Sequence, residues 1–212
     1  MTLTLRSPNR LFVALDLPDD LRDALARTGA EIAARHGGRA VPAESLHATV
    51  AFLGDVPPGM AAALEDALLA ARGPALRVRL GPLVARPSAG RARLVAVTLE
   101  DAGGDLVERW VRLAAAVASA TGIAGEDRVW PHVTLVRFRR PGRVDIRGEW
   151  YPGDERTFAL GQMALYDSHR DDRGPPRYEP LVVVRLASAG GAGAHGIDLD
   201  VPGPASRGTS SL

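Results

Sequence analysis

The sequence predicts a domain of mixed helices and strands in which one strand–helix–strand unit occurs twice. Short apolar runs bounded by proline and glycine alternate with longer segments whose apolar residues recur at helical spacing. The run from Arg10 to Leu15 resembles the run from Arg93 to Leu99, and a helical pattern follows each of them. A chain of 212 residues suits one large domain or two small lobes.

The first unit begins with an apolar run at residues 11–17, which ends at a proline and predicts a buried strand. Two aspartates favour a helix start at residues 19–20, and two glycines favour its end at residues 37–38. A second strand is predicted over residues 46–53. The apolar side of the predicted helix carries Leu21, Leu25, Thr28 and Ile32.

A helix and two strands are predicted between the two units. Two prolines favour a helix start at residues 57–58, and a Gly-Pro pair favours its end at residues 73–74. Strands are predicted near residues 75–85 and 92–100. The apolar side of this helix carries Met60, Leu64, Leu68 and Ala71.

The second unit repeats this order, with a helix that ends at Gly122 and a strand over residues 132–138. The two strands of the first unit begin 36 residues apart, at Leu11 and His47, and those of the second begin 38 residues apart. This similarity in spacing supports an internal duplication. One face of the predicted helix carries Leu106, Trp110, Leu113 and Val117.

The last part of the chain predicts two further strands, over residues 157–166 and 180–186. Residues 168–177 between them are charged and rich in glycine and proline, which favours an exposed loop. From residue 188 onward the composition is dominated by Gly, Ala, Ser and Pro without periodicity, which predicts a disordered tail.

Two amino acids are missing from the composition, because the chain has no cysteine and all 26 basic residues are arginine. Without cysteine there is no thiol nucleophile, disulfide or cysteine-based metal centre. Without lysine there is no Walker A lysine, Schiff base or covalent lysyl–nucleotide intermediate. Many classes of enzyme are therefore excluded.

The overall charge and hydropathy do not point to a membrane or to a general affinity for nucleic acid. The formal net charge is +1, so there is little long-range attraction for polyanions. No apolar run approaches the roughly 20 residues that span a bilayer, and residues 1–10 lack the apolar stretch of a signal peptide. We expect a cytoplasmic protein without a membrane partner.

Each unit ends in the same short motif, His47-Ala-Thr49 in the first and His132-Val-Thr134 in the second. Side chains two apart on a strand share a face, so each histidine points the same way as its threonine. If the units face each other across a groove, one histidine can accept a proton while the other donates one. The threonine hydroxyls can hydrogen-bond the oxygens of a phosphate.

A single His-x-Thr sequence on a strand is usually structural, and it is the pairing of two at matched positions that favours catalysis. The other three histidines have simpler explanations. His36 falls at a predicted helix end, His169 lies in the charged loop, and His195 lies in the tail. Two histidines without a third ligand at a recognisable spacing make a poor zinc site, so we expect no metal and no cofactor.

The two motif regions resemble those of the 2H phosphoesterase superfamily, and more narrowly those of the RNA 2′,3′-cyclic phosphodiesterases, which are also called 2′-5′ RNA ligases. The similar segments are residues 45–54 (SLHATVAFLG) and 131–137 (PHVTLVR), together with the opening run from residue 10 (RLFVALDLP). The later segments LYDS and YEPL also lie where the family has similar ones. The resemblance covers about residues 9–187.

The resemblance implies an α+β fold of two lobes, with two antiparallel sheets around a central cleft, helices packed outside and a pseudo-two-fold repeat. Residues 10–187 would form this single phosphoesterase domain, between a short extension (1–9) and the tail (188–212). His47 would be the proton donor and His132 the proton acceptor in the metal-free hydrolysis of a 2′,3′-cyclic phosphate to a 2′-phosphate. Thr49 and Thr134 would hold the phosphate.

Two further residues are candidates for substrate binding, and each has an alternative interpretation. Arg137 lies five positions after His132, so strict alternation directs it to the opposite face, and it reaches the phosphate only if the strand ends or bulges. The family favours an arginine there, although a solvated charge is the alternative. Phe52, at the same offset in the first unit, could stack on a base or pack in the core.

Two other functions fit the same residues. One is a cyclic phosphodiesterase for a small nucleotide such as ADP-ribose cyclic phosphate, and the other is a non-catalytic module that binds RNA ends. Any 2′-5′ joining of RNA ends must proceed without ATP, as the reverse of cyclic-phosphate opening, because no lysine is present to be adenylated. We expect a monomer without a stable protein partner, whose substrate is an RNA or nucleotide with a 2′,3′-cyclic phosphate.

Overall fold

The structure is a computed structural model that describes residues 9–123, 129–146, 157–169 and 176–188. The predicted N-terminal extension and the predicted tail therefore lie outside the described residues, apart from Asn9 and Ser188. Most of the predicted exposed loop also lies outside them.

The described residues contain three α-helices: α1 (Asp19–His36), α2 (Ala61–Ala70) and α3 (Leu106–Thr121). All three occur where the sequence predicts them, and α1 and α3 end at glycines with positive φ. The apolar side of α1 differs from the prediction, because Gly29 is buried and Thr28 is only half-buried. None of these helices has the length and apolar character needed to cross a bilayer.

The strands of the described residues form two antiparallel sheets. The four-stranded sheet has the order β3-β1-β8-β9, and the five-stranded sheet has the order β2-β6-β5-β4-β7. The bounds are β1 (Asn9–Asp16), β2 (Arg39–Ala40), β3 (His47–Val56), β4 (Leu76–Arg86), β5 (Ala92–Asp101), β6 (His132–Gly142), β7 (Phe158–Leu160), β8 (Gln162–His169) and β9 (Arg177–Arg185). The fold is therefore α+β.

The strand predicted over residues 157–166 is in fact two strands that belong to different sheets. β7 pairs with β4 in the five-stranded sheet, whereas β8 pairs with β1 and β9 in the four-stranded sheet. The chain crosses between the sheets at Gly161, whose carbonyl accepts a hydrogen bond from the Leu186 N–H at 2.8 Å. Gly161 is the residue between β7 and β8, and a glycine inside an apolar run is typical of such an interruption of a strand.

The internal repeat is visible in the topology. In the first unit β1 pairs with β3, and in the second unit the equivalent β5 pairs with β6. The registers correspond as well, since His47 lies opposite Asp16 and His132 lies opposite Thr98. Each motif histidine therefore occupies the first position of a strand that pairs with the first strand of its own unit.

A β-bulge interrupts β3 three residues after the histidine. Thr49 lies opposite Ala14 and Ala51 lies opposite Val13, so Val50 is an extra residue without a partner position in β1. One additional residue in one strand shifts the later side chains to the other face of the sheet.

The same bulge occurs in β6 at the equivalent position. Thr134 lies opposite Ala96 and Val136 lies opposite Val95, so Leu135 is the extra residue. Its carbonyl oxygen accepts a hydrogen bond of 2.8 Å from the N–H of Val41, next to the pairing of β2 with β6. The bulge is thereby held by the segment that precedes β3.

The helix of the first unit packs against the motif strand of the second unit. Gly29 of α1 approaches Leu135 of β6 so closely that a Cβ atom on this glycine would lie 2.9 Å from the Leu135 carbonyl oxygen. The helix of the second unit, α3, packs against β3 and α2. A glycine is therefore needed where α1 crosses the bulge, since the backbone leaves no room for a side chain.

We expect Gly29→Val to destabilise the protein by about 2 kcal/mol or more, because a branched side chain would overlap the backbone of the bulge. The exposed neighbour supplies the matched control, as Ala30→Val places the same side chain on the same helix and should cost about 0.5 kcal/mol from helix propensity alone. Denaturant unfolding measures both values. Equal effects of the two substitutions would contradict the close contact.

Candidate active site

The bulge in β3 aligns three side chains of the first unit. His47, Thr49 and Phe52 lie opposite Asp16, Ala14 and Phe12, which alternate along β1 and so share one face of the sheet. Phe52 lies five positions after His47, and strict alternation would direct it to the opposite face. Because Val50 is an extra residue in the strand, Phe52 lies on the same face as His47. Its side chain is 55% exposed, so the core-packing alternative for Phe52 is not what the structure shows.

The bulge in β6 does the same for the second unit. His132, Thr134 and Arg137 lie opposite Thr98, Ala96 and Leu94 of β5. Arg137 therefore shares the face of the histidine although strict alternation directs it to the other side. The structure contains the bulge on which a role for Arg137 depends.

The two motifs face each other across a narrow cleft between the sheets. Both histidines, both threonines and Arg137 line one small cavity of about 20 Å³. The remaining wall comes from Val41, Ser45 and Tyr178, and no Asp or Glu among the described residues lines it. A small anion would meet two imidazoles, two hydroxyls and a guanidinium at this position.

A larger cavity of about 480 Å³ opens on the His47 side of the cleft. It combines aromatic rings with arginines, a lining that can hold both a nucleobase and phosphate groups. The lining side chains include Phe12, Phe52, Tyr178, Arg10, Arg39 and Arg137.

A second cavity of about 200 Å³ opens on the His132 side. It has a more apolar wall, and Phe52 lines both this cavity and the larger one. Arg137 also borders both of them, so the cleft joins the two cavities. The apolar part of the wall consists of Val50, Leu94, Trp110, Ala114, Val129 and Trp130.

Both imidazoles are held in the same orientation by the backbone. Nδ1 of His47 lies 2.8 Å from the carbonyl oxygen of Ser45, and Nδ1 of His132 lies 2.6 Å from that of Trp130. A carbonyl oxygen only accepts, so each Nδ1 carries a proton and donates it. Nε2 is then the nitrogen of each ring that can take up or release a proton.

The surroundings of His47 are aromatic and enclosed. Its ring centre lies 4.8 Å from that of Phe12, 5.2 Å from that of Tyr178 and 6.2 Å from that of Tyr166. The pKa of His47 is lowered to about 4, chiefly by burial; the Ser45 hydrogen bond opposes this shift, and the positive charges of Arg137 and His132 contribute to it. His47 is therefore neutral at pH 7 in the absence of substrate.

His132 has a different neighbour, since the Trp130 ring stacks on its imidazole. The two ring centres are 3.6 Å apart with an interplanar angle of 16°. The guanidinium carbon of Arg86 lies 4.8 Å from the Trp130 ring centre. Trp130 thus holds His132 through both its ring and its carbonyl oxygen.

Behind His47, Asp16 and Tyr166 form a half-buried pair that the sequence does not reveal. The Tyr166 hydroxyl donates a hydrogen bond of 2.6 Å to Asp16 Oδ1. Burial raises the pKa of Asp16, and burial beside this carboxylate also raises the pKa of Tyr166. The pair fixes Tyr166, whose ring stacks on Phe12 at 5.2 Å.

Neither His36 nor His169 lines the cleft. His36 is the last residue of α1, and His195 lies outside the described residues. His169 Nε2 lies 3.5 Å from Asp167 Oδ2 and 3.3 Å from Glu179 Oε2, so this ring contacts carboxylates rather than the cleft. In the part of the chain that the structure describes, no group of three or more His, Cys, Asp or Glu side chains could hold a metal ion.

Sequence reasoning misses four residues that line or border the site, namely Arg10, Arg39, Tyr178 and Trp130. Arg39 lies in a two-residue strand, which is too short to leave a pattern. Arg10 and Tyr178 reach the cavity through pairings that bring distant segments together. Trp130 precedes its motif histidine by two residues, as Ser45 does in the first unit, and Arg10 and Tyr178 belong to the family-like segments RLFVALDLP and YEPL, but none of these signals specifies a place in the cleft.

Two His-x-Thr pairs facing each other across a cleft between two sheets define a two-histidine phosphoesterase. The comparisons with known proteins agree, since residues 15–95 match the family model described as LigT like Phosphoesterase. The RNA 2′,3′-cyclic phosphodiesterase of Escherichia coli is 32% identical over 178 residues, which are 82% of this chain and 94% of that protein. The enzyme of the same name from Aeropyrum pernix is 29% identical over 181 residues, with 80% and 95% covered. The chain belongs to the LigT-like phosphoesterase family.

Solved structures show the same relationship. Escherichia coli LigT complexed with 3′-AMP has a TM-score of 0.67 and 29% identity, covering 84% of this chain and 98% of that one. A protein from Thermus thermophilus has a TM-score of 0.64 and 28% identity, covering 85% and 99%. The predicted fold of two antiparallel sheets around a cleft is therefore confirmed.

The lowered pKa of His47 predicts a pH dependence of stability. Below pH 6.5 the unfolded chain binds a proton at His47 that the folded protein does not bind until pH falls to about 4. The folded state therefore loses stability as pH falls through this range, by about 3 kcal/mol as an upper bound. Unfolding free energies of the wild type and His47→Gln at pH 7 and pH 4.5 measure it. The variant should lose less stability, and parallel losses would show that His47 titrates normally.

Proposed function

We propose that this protein hydrolyses the 2′,3′-cyclic phosphate at the 3′ end of RNA and leaves a 2′-phosphomonoester. The observation that carries this proposal is that both imidazoles and both threonine hydroxyls line one small cavity. The phosphodiesterases of Escherichia coli and Aeropyrum pernix, which are similar over four fifths of the chain, support the same activity.

The reaction needs one proton acceptor and one proton donor on opposite sides of the phosphorus. A water oxygen attacks the phosphorus while His132 Nε2 accepts a proton from it, and the bond between phosphorus and O3′ breaks. His47 Nε2 donates a proton to O3′, which leaves as the free 3′-hydroxyl. The 2′-phosphate stays on the ribose, and the proton passes on to solvent from His132.

Three side chains stabilise the charge on the non-bridging phosphate oxygens. The hydroxyls of Thr49 and Thr134 donate hydrogen bonds, and the Arg137 guanidinium supplies a positive charge at the same cavity. Because these donors are already on one face of each sheet, little reorganisation is needed when the substrate enters.

The donor role of His47 requires that its pKa rise when substrate binds. In the free protein burial and the nearby positive charges keep this ring neutral. An anionic cyclic phosphate between the two histidines would offset those positive charges and favour the protonated ring. Substrate binding near pH 7 should therefore be accompanied by uptake of a proton.

The exposed ring of Phe52 and the neighbouring Tyr178 supply the surface for the terminal base. Aromatic side chains bind the bases of single-stranded RNA by stacking, with little preference for sequence. Both rings line the larger cavity next to His47. Escherichia coli LigT, which is similar in fold, has been crystallised with 3′-AMP.

The two alternative functions, action on a small nucleotide and binding without catalysis, are not favoured by these relatives. Joining of RNA ends by the reverse reaction would be a minor activity, since water is always available to replace the 5′-hydroxyl. The monomeric state, the absence of a protein partner and the cytoplasmic location stay predictions.

We expect His47→Ala and His132→Ala each to lower the hydrolysis of an oligonucleotide 2′,3′-cyclic phosphate by about a thousandfold, the contribution of a general acid or base. His36→Ala, outside the cleft, is the matched control and should retain activity. Chromatography of the products against 2′- and 3′-phosphate standards gives the regiochemistry. Full activity in either motif variant, or a 3′-phosphate product, would refute the proposed mechanism.

Hydrolysis should proceed without divalent cations, because the cleft supplies imidazole, hydroxyl and guanidinium groups rather than the carboxylates that hold Mg²⁺. Rates measured in about 5 mM EDTA, enough to remove a tightly bound metal ion, should equal those without it. A loss of activity that added Zn²⁺ or Mg²⁺ restores would contradict the metal-free mechanism.

A further inference from the structure

The larger cavity carries more positive charge than the opening of a single cyclic phosphate requires. Arg10 and Arg39 line it in addition to Arg137, and no Asp or Glu among the described residues lines it. Arg137 also borders the catalytic cleft, whereas Arg10 and Arg39 do not. Two arginines are therefore available for a second anionic group.

Arg39 is held close to Arg137 by the sheet. The two-residue strand β2 pairs with β6 so that Arg39 lies directly opposite Arg137. Neighbouring strands are about 4.8 Å apart, and side chains of directly opposite residues share a face. Two like charges at this separation repel each other, and an anion between or beside them removes that repulsion.

Arg10 approaches the cavity from the other sheet. It precedes Phe12 by two residues on β1, and both side chains line the cavity. Its position in the register is opposite Asp55, yet the two form no ion pair in the structure. Elsewhere in the described residues arginines do pair with carboxylates, as Arg22 does with Asp19 and Arg109 with Asp105.

The chemistry of the proposed substrate places a second phosphate near this position. A ribose that holds a 2′,3′-cyclic phosphate in the cleft and its base against Phe52 still has its 5′-oxygen. In a nucleoside cyclic phosphate this oxygen is a hydroxyl, whereas in RNA it carries the phosphodiester to the preceding nucleotide. A cavity of about 480 Å³ leaves room for this group beside the base.

We propose that Arg10 and Arg39 bind the phosphodiester on the 5′ side of the terminal nucleotide, and so select an RNA end over a nucleoside cyclic phosphate. This inference rests on the proposed function. The recognised chemistry is a phosphoryl group on the 5′-oxygen of the ribose, which ADP-ribose cyclic phosphate also offers. RNA is the source to which we commit, because the similar phosphodiesterases are named for it.

The test compares kcat/KM for adenosine 2′,3′-cyclic phosphate, for the same compound with a 5′-phosphate, and for the dinucleotide ApA 2′,3′-cyclic phosphate. The wild type should prefer the two compounds with a 5′-phosphoryl group by about tenfold or more, the size of a charge-assisted contact. Arg10→Ala and Arg39→Ala should each reduce this ratio several-fold, and the double variant should bring it close to one.

Arg93→Ala is the matched control. Arg93 is exposed on β5 and lies next to Leu94, so it points to the opposite face from the cleft. This variant should keep the wild-type ratio. A ratio near one in the wild type, or an unchanged ratio in both the Arg10 and Arg39 variants, would overturn the inference. Faster hydrolysis of ADP-ribose cyclic phosphate than of the dinucleotide would overturn the assignment to RNA.

A binding measurement separates this inference from the proposed function. Calorimetric titration with adenosine 2′-monophosphate and adenosine 2′,5′-bisphosphate needs no catalysis. The bisphosphate should bind about tenfold more tightly to the wild type, and the advantage should disappear in the double variant. Equal affinities in the wild type would refute the arginine site even if hydrolysis occurs. The expected pattern without hydrolysis would support the site and refute the proposed activity.

Discussion

The arrangement of the cleft depends on one extra residue in each motif strand. Val50 in β3 and Leu135 in β6 are bulges three positions after the histidines, and each brings the residue five positions after the histidine onto the same face as that histidine. The second bulge is held by a hydrogen bond from the Val41 N–H and by the close passage of α1 at Gly29. Backbone contacts outside the cleft therefore decide which side chains line it.

At equivalent positions next to the two bulges, the two sheets carry different kinds of side chain. In the first sheet the aligned row across the strands is aromatic, with Phe52 opposite Phe12 and Phe12 opposite Tyr166. In the second sheet the equivalent row contains arginines on either side of an aliphatic residue, with members Arg137, Leu94 and Arg86. The repeated backbone thus presents an aromatic row in one sheet and a row with two arginines in the other.

The elements and the four motif side chains can be predicted because they depend on local patterns, namely hydrophobic period, glycine and proline positions, and two matched motifs. The break at Gly161 cannot be predicted, because the chain passes from one sheet to the other there. The spacing of apolar residues predicts a strand but not the sheet to which the strand belongs. The burial of Gly29 cannot be predicted either, because it depends on the close contact of α1 with the bulge at Leu135, which lies far away in the sequence. The position of Arg39 in the sheet cannot be predicted, because a strand of two residues is too short to show a hydrophobic pattern.

The crossing of α1 onto β6 has a consequence for how the two halves of the chain relate. The helix of the first unit covers the strand of the second, so a polypeptide cut between β4 and β5 would expose apolar surface in both fragments. Neither fragment could keep its motif strand in place alone. The two motif histidines thus depend on contacts between the two units, so we expect the described residues of both units to unfold together.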